Sequence, residues 1–129
     1  MLDTNICIYI MKNRPEHVRN KLKEFDVGDV CLSSIVVSEL YYGAYKSEHT
    51  EKNLLALEYF LKPFDIIEYD LNASIEYGSI RASLEKSGKV IGGLDMMIAA
   101  HARSLDMTLV TNNVKEFDRI ENLVIDNWI

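Results

Sequence analysis

The sequence predicts an α/β protein, a three-layer α/β/α sandwich around a mainly parallel sheet of about five strands. Two observations carry that prediction. Short apolar segments of strand length alternate with longer segments of helical period, the order that builds parallel sheets covered on both faces. At 129 residues the chain can form one good core and is too short for two, so residues 1–129 read as a single domain.

The first strand is a stub of two or three residues ending at Asp3. Ile6 to Met11 is rich in β-branched residues, and propensity alone would make it strand; its helical reading comes with the resemblance described below. Pro15 suits the first turn of a helix running to about Phe25, where a missing N–H costs nothing. Val30 to Leu32 reads as a short buried strand, and Ser33 or Ser34 then caps a helix that carries Glu39. A helix starting near Glu51 has Leu54, Leu55, Leu57, Phe60 and Leu61 as its apolar side and stops at Pro63. Asp65 to Tyr69 reads as the next strand. Asn72 is an N-cap candidate for a helix through Ser87, with Gly88 as its C-terminal stop. Gly92 and Gly93 break the chain before an apolar helix that opens with Asp95. Thr108 to Thr111 is a strand, a short helix surrounds Lys115 to Phe117, and Leu123 to Asp126 is the last strand.

Composition narrows the function classes. Apolar content of 48% and charged content of 26% are ordinary for a soluble globular protein. No apolar run is long enough to span a bilayer. The start lacks the basic segment of a signal peptide and soon meets Asp3 and Asn5, so the expected location is the cytoplasm. The net charge of −6 argues against a binder that wins nucleic acid by bulk positive charge, but not against an enzyme that acts on nucleic acid, because bound divalent cations reverse the local sign. Cys7 and Cys31 have no metal-ligand spacing and read as small core hydrophobes. Lys12, Arg14, Arg19, Lys21 and Lys23 cluster with His17, either as a solvated helix face or as a strip for phosphates.

Four acidic residues are placed where surface decoration does not explain them. Asp3 stands at the mouth of an apolar run, Glu39 lies within Ile35-Val36-Val37-Ser38-Glu39-Leu40-Tyr41-Tyr42-Gly43, Asp95 opens a nearly all-apolar helix, and Glu116 follows the strand Leu109-Val110-Thr111. Buried carboxylates are rare unless something pairs with them, and no basic residue is close in sequence to Asp3, Glu39 or Asp95. In open parallel α/β sheets ligands gather beyond the carboxyl ends of the strands, and all four acids can meet there. Two carboxylates about 5 Å apart repel by roughly 3 kcal/mol at an effective dielectric of about 20. Either a distant Lys or Arg or a metal ion must offset that. Oxygen-only donors favour Mg²⁺ or Mn²⁺ over zinc, and such an ion polarises a phosphoryl oxygen and activates water.

At these same positions the chain resembles the PIN-domain family, and within it the VapC-type toxins of bacterial toxin–antitoxin pairs. The matching pieces are Met1-Leu-Asp-Thr-Asn5, Ser38-Glu39-Leu40-Tyr41-Tyr42-Gly43, Gly92 to Ala102, Leu109-Val110-Thr111-Asn112-Asn113, and Glu116-Phe117. They occur in the family's order over essentially the whole chain. The resemblance implies a PIN-like fold and an Mg²⁺- or Mn²⁺-dependent endoribonuclease. It also implies a homodimer, inhibited by a cognate antitoxin in a higher assembly; the antitoxin inserts a basic side chain among the acids. Initiator tRNA is a substrate of similar toxins. Asp3, Glu39 and Asp95 match the family's metal-site acids, and Glu116 matches a fourth acid. Asn113 stands where many PIN domains have aspartate, which argues against a second tightly held ion.

The roles that follow are Asp3, Glu39 and Asp95 as metal ligands and Glu116 as the acid that completes the ring. Thr4, Asn5, Thr111, Asn112 and Asn113 orient these acids or the scissile phosphate, or else serve only as turn and capping residues. His101 lies six positions after Asp95, on a different helix face, and reads as a structural or surface histidine. The Tyr41, Tyr42 and Tyr45 cluster reads as core and dimer surface, or as a platform for RNA bases. Two other functions stay open at this point: a metal-dependent phosphatase with an aspartyl nucleophile, and a non-catalytic partner-binding domain.

Overall fold

The computed structural model describes residues 1–26 and 28–129. Helix α1 (Thr4–Lys12) starts at once after Asp3, whose carboxylate accepts the Thr4 N–H and so caps the helix. Ile6, Cys7 and Ile10 turn inward from it, and this burial at helical spacing outweighs the β-branched propensity of the segment. Asn13, at φ 53°, ends α1, its N–H and that of Arg14 returning to the carbonyls of Ile10 and Tyr9 at 3.1 Å each. Helix α2 (Glu16–Leu22) follows, with Pro15 at its N-cap rather than in its first turn, and stops short of Phe25.

Strand β1 (Cys31–Ser33) leads directly into α3 (Ser34–Lys46), and Ser33 is the cap, its hydroxyl accepting the Ile35 N–H at 3.1 Å. Helix α4 (Thr50–Leu61) packs on α3. Strand β2 (Asp65–Ile67) ends two residues earlier than its sequence suggested, because the Tyr69 N–H is claimed by the Ser34 hydroxyl at 3.0 Å. Helix α5 (Leu71–Ser87) is capped by Asp70, not Asn72; Asp70 Oδ1 accepts the Ala73 N–H at 3.0 Å, and Asn72 points into solvent. The side chain three residues before Ala73 has the reach for an N-cap bond, while Asn72 already lies inside the first turn. Gly88, at φ 69°, closes α5 as expected. Helix α6 (Gly93–Ser104) packs along α5, and Met96 and Ile98 to Ala102 are all buried. Strand β3 (Leu109–Val110), the short α7 (Val114–Phe117) and β4 (Ile125–Asp126) complete the chain.

The strands form two parallel pairs, β1 with β2 and β3 with β4. Residues 1–3 join them. Leu2 makes a one-residue parallel bridge with Val110, its N–H donates to the Cys31 carbonyl at 3.1 Å, and the Asp3 N–H donates to the Val110 carbonyl at 2.8 Å. The structure therefore has two short pairs and a bridge where the sequence predicted a sheet of about five strands. Successive strand residues face opposite sides. Cys31, Leu32 and Ser33 are all buried, as are Leu109, Val110 and Thr111, so both sides of these strands are covered. The largest enclosed side chains include Phe117, Leu2, Ile6, Leu32 and Ile98. Cys7 and Cys31 are free and buried, as their context predicted. No helix is long and apolar enough to cross a membrane among the described residues.

The capping assignment at α5 is testable in urea. Asp70→Ala should lower unfolding stability by about 1 kcal/mol, whereas Asn72→Ala should change it by less than about 0.5 kcal/mol.

Candidate active site

Four acids from four segments face one another at the carboxyl ends of the strands. Asp3 is 4% exposed. Its Oδ1 accepts the Thr4 N–H at 2.8 Å and its Oδ2 accepts the Thr111 hydroxyl at 2.7 Å. The Thr4 hydroxyl donates to Glu39 Oε1 at 2.7 Å. On the other side, the Asn113 N–H donates to the Thr111 hydroxyl oxygen at 3.0 Å, and the Asn113 amide donates to Glu116 Oε2 at 3.0 Å. One hydrogen-bonded chain thus runs from Glu39 through Thr4, Asp3, Thr111 and Asn113 to Glu116.

Asp95 stands outside that chain and is coupled to it through charge. Burial pushes its carboxyl up to about 6, and the charges of Asp3, Glu116 and Glu39 push the same way. Asp3 is also raised, chiefly by burial, against the lowering pull of the Thr111 and Thr4 hydrogen bonds, with the charge of Glu39 adding to the rise. Asp95 occupies the third position of α6, and its Oδ2 lies over Gly92, where a Cβ atom would stand 3.5 Å away. All four acids predicted from the sequence are therefore near enough to feel one another.

Of the five accessory residues, Thr4, Thr111 and Asn113 join the acids. Asn112 turns away and donates to the Tyr9 hydroxyl at 3.1 Å, and Asn5 is exposed on the first turn of α1. Tyr9 was not singled out by sequence, since nothing in a helical tyrosine announces a partner 103 positions away. Tyr42 and Tyr45 are 67% and 66% exposed, which removes them from the core. His101 is fully buried, which selects the structural reading over the surface one.

The donor set is entirely oxygen, which suits Mg²⁺ or Mn²⁺. Among the described residues no three His, Cys, Asp or Glu side chains are grouped tightly enough to hold an ion alone. That arrangement fits a hard cation which keeps several waters and takes one or two carboxylates directly. Asp95 is raised chiefly by burial and further by the charges of Asp3, Glu116 and Glu39, and a bound cation would oppose both effects. Asp3, with both oxygens hydrogen-bonded and almost no exposure, is poorly placed for in-line attack on a phosphate, which speaks against an aspartyl nucleophile.

Short parallel strands, helices over both faces and a carboxylate pocket at their carboxyl edge define an acid-site α/β domain. The chain belongs to the PIN domain family, whose pattern it matches over residues 1–123. It is 46% identical over 129 residues to a Haemophilus influenzae protein named Ribonuclease VapC2, covering 100% of this chain and 97% of that protein. It is 44% identical over 128 residues to a Shigella flexneri protein named tRNA(fMet)-specific endonuclease VapC, covering 99% and 96%. Among solved structures, DNA-bound VapBC from Salmonella typhimurium superposes with a TM-score of 0.94 at 44% identity, covering 100% of this chain and 97% of that one.

Asp95 yields a prediction about pH. Its folded carboxyl titrates near 6, above its ordinary value of 3.8, so its protonated form favours folding below about pH 4 and that contribution is lost as pH rises through 6. In chelator-treated buffer, Asp95→Asn should therefore melt a few degrees above the parent chain at pH 7.5, with the gap closing at pH 4. Scanning calorimetry at the two pH values measures it.

Proposed function

We propose that residues 1–129 act as one PIN-like domain, a metal-dependent endoribonuclease that hydrolyses RNA phosphodiester bonds as the toxin of a toxin–antitoxin pair. The observation that carries this reading is the grouping of Asp3, Glu39, Asp95 and Glu116, in which Asp95 is raised first by burial and then by the charges of the other three. The names of the relatives support the activity class. The match to a VapBC complex along nearly the full length of both chains supports an antitoxin partner. Initiator tRNA is the proposed substrate, on the strength of the Shigella relative's name. The location is the cytoplasm, where that substrate is found.

Asp3, Glu39 and Asp95 would hold one Mg²⁺ or Mn²⁺ ion, partly through water. When bound, the ion supplies charge to polarise the scissile phosphoryl oxygen and to make water a better nucleophile at neutral pH. Thr4 and Thr111 fix the carboxylates of Glu39 and Asp3 by donating to them, so that these oxygens do not need to reorient during the reaction. Asn113 donates to Glu116, where an aspartate would repel it. That substitution lowers the local charge and favours one tightly held ion over two. Glu116 orients water at the open side of the ring, and Asn5, exposed beside Thr4, is free to meet the phosphate. Asn112, committed to Tyr9, acts through the loop that carries Asn113.

A groove of about 410 Å³ between α1, α3 and α4, lined by Ile8, Met11, Leu40 and Leu57, opens onto Glu39. Its apolar wall and acidic end suit an antitoxin segment that brings a basic side chain to the carboxylates. Exposed Tyr42 and Tyr45 on α3 suit a homodimer surface.

Purified chain incubated with total RNA should produce discrete fragments with Mg²⁺ or Mn²⁺ and none with chelator. End mapping should find 3′-hydroxyl and 5′-phosphate termini; a 2′,3′-cyclic phosphate would mean attack by the ribose hydroxyl and would overturn the mechanism. Asp3→Asn and Asp95→Asn should each lower the rate by more than about a hundredfold with the fold intact, as judged by circular dichroism.

A further inference from the structure

We propose that His101 is a positioning residue for this nuclease, locking α6 to the N-terminus of α3 through Ser33 and thereby setting where Asp95 and Glu39 stand relative to each other. The inference rests on the nuclease reading above. His101 is fully buried in a helix stretch that is otherwise apolar, Met96 and Ile98 to Ala102. An aliphatic side chain would serve packing there, so the imidazole needs another reason.

That reason is its partner. His101 Nδ1 lies 2.7 Å from Ser33 Oγ, and both residues are 0% exposed. Ser33 Oγ already accepts the Ile35 N–H as the cap of α3. A hydroxyl offers one proton and two lone pairs, so Ser33 Oγ can pair with Nδ1 in either imidazole tautomer while still capping α3, and in both the contact ties the ring to the start of α3. Nε2 is enclosed and has no hydrogen-bond partner among the described residues. Burial keeps the ring neutral, against the weaker opposing pulls of Asp70 and the Glu68 carbonyl. Tyr69 packs its edge against the imidazole at 5.5 Å between ring centres, and its own N–H holds the Ser34 hydroxyl. The end of β1, the segment just after β2, the start of α3 and the last turn of α6 therefore meet on one histidine.

The two acids are symmetric about this tie. Asp95 lies six residues before His101 on α6, and Glu39 lies six residues after Ser33 on α3, each about 9 Å away along its helix axis. Rotation or sliding at the tie displaces both carboxylates, and displacements near 1 Å are enough to change rates by up to about a hundredfold. His101 itself reaches neither acid, so it acts through the two helices.

Four proteins test this: the parent chain, His101→Leu, His101→Asn and Ser33→Ala. The readouts are Mn²⁺ binding by calorimetry and single-substrate RNA kinetics, at a temperature where melting curves show each to be folded. His101→Leu and Ser33→Ala should each weaken Mn²⁺ affinity and lower kcat about tenfold or more while KM for RNA stays within about twofold. His101→Asn, whose amide can place an acceptor where Nδ1 stood, should recover most of both. If His101→Leu does not fold, Ser33→Ala carries the same comparison. Folded His101→Leu or Ser33→Ala protein with parental Mn²⁺ affinity and kcat overturns the positioning role alone. A parent chain that neither binds Mn²⁺ nor cuts RNA overturns the nuclease reading and this inference with it.

Discussion

The site depends on how Asp3 is held. Its backbone N–H is the last strand-like hydrogen bond of the first segment, to the Val110 carbonyl, and its carboxylate is the cap of α1. The same residue therefore ends a strand, starts a helix and contributes an acid. Each of its two oxygens accepts a donor, one from the backbone of α1 and one from Thr111 at the end of β3. These bonds offset part of the cost of burying the charge and fix the direction in which the remaining lone pairs point.

Magnitudes show why hydrogen bonds and helix ends do not suffice. Asp3 caps α1, Asp95 sits in the first turn of α6, and Glu116 in that of α7, where peptide dipoles favour anions. Each such placement is worth about 0.3–1 kcal/mol. Repulsion between two carboxylates about 5 Å apart is roughly 3 kcal/mol, and here four share one edge. The chain holds three acids in a hydrogen-bonded row, while burial first and the neighbouring charges second push Asp95 up to about 6 and raise Asp3 as well. A pocket arranged this way is unstable to further negative charge and receptive to a cation, a common condition of sites that trade stability for chemistry.

Asp3, Glu39 and Asp95 were legible in the sequence because each stands in or beside an apolar segment, where a charge needs an explanation, and Glu116 because it follows a strand end. Helices α5 and α6 were legible from their boundaries, Gly88 closing the first and the Gly92–Gly93 break opening the second. The cap of α5 was misread because Asp70 and Asn72 are both good cap residues two positions apart, and only the three-dimensional path of the chain selects between them. The α1 segment was the reverse case: Ile6, Ile8 and Ile10 favour strand locally, and the helix exists because Asp3 caps it and Ile6, Cys7 and Ile10 are buried together. The broad sheet expected from the alternation is reduced to two pairs joined by Leu2, since strands of two or three residues leave little ladder to count. Pairings such as Asn112 with Tyr9 left no local signal at all.

Asn113 shows how one side chain alters the electrostatic balance of the whole ring. An aspartate there would place a fifth carboxylate three positions before Glu116, with no donor to offer it. The amide instead donates to Glu116 while its backbone N–H supports Thr111, which in turn holds Asp3. The side chain at position 113 therefore acts on Glu116 directly, while the support to Thr111 and Asp3 comes from its backbone N–H. An amide rather than a carboxylate at this point leaves the ring one negative charge lower. A single hard ion with a largely aqueous coordination sphere is the arrangement that such a ring favours.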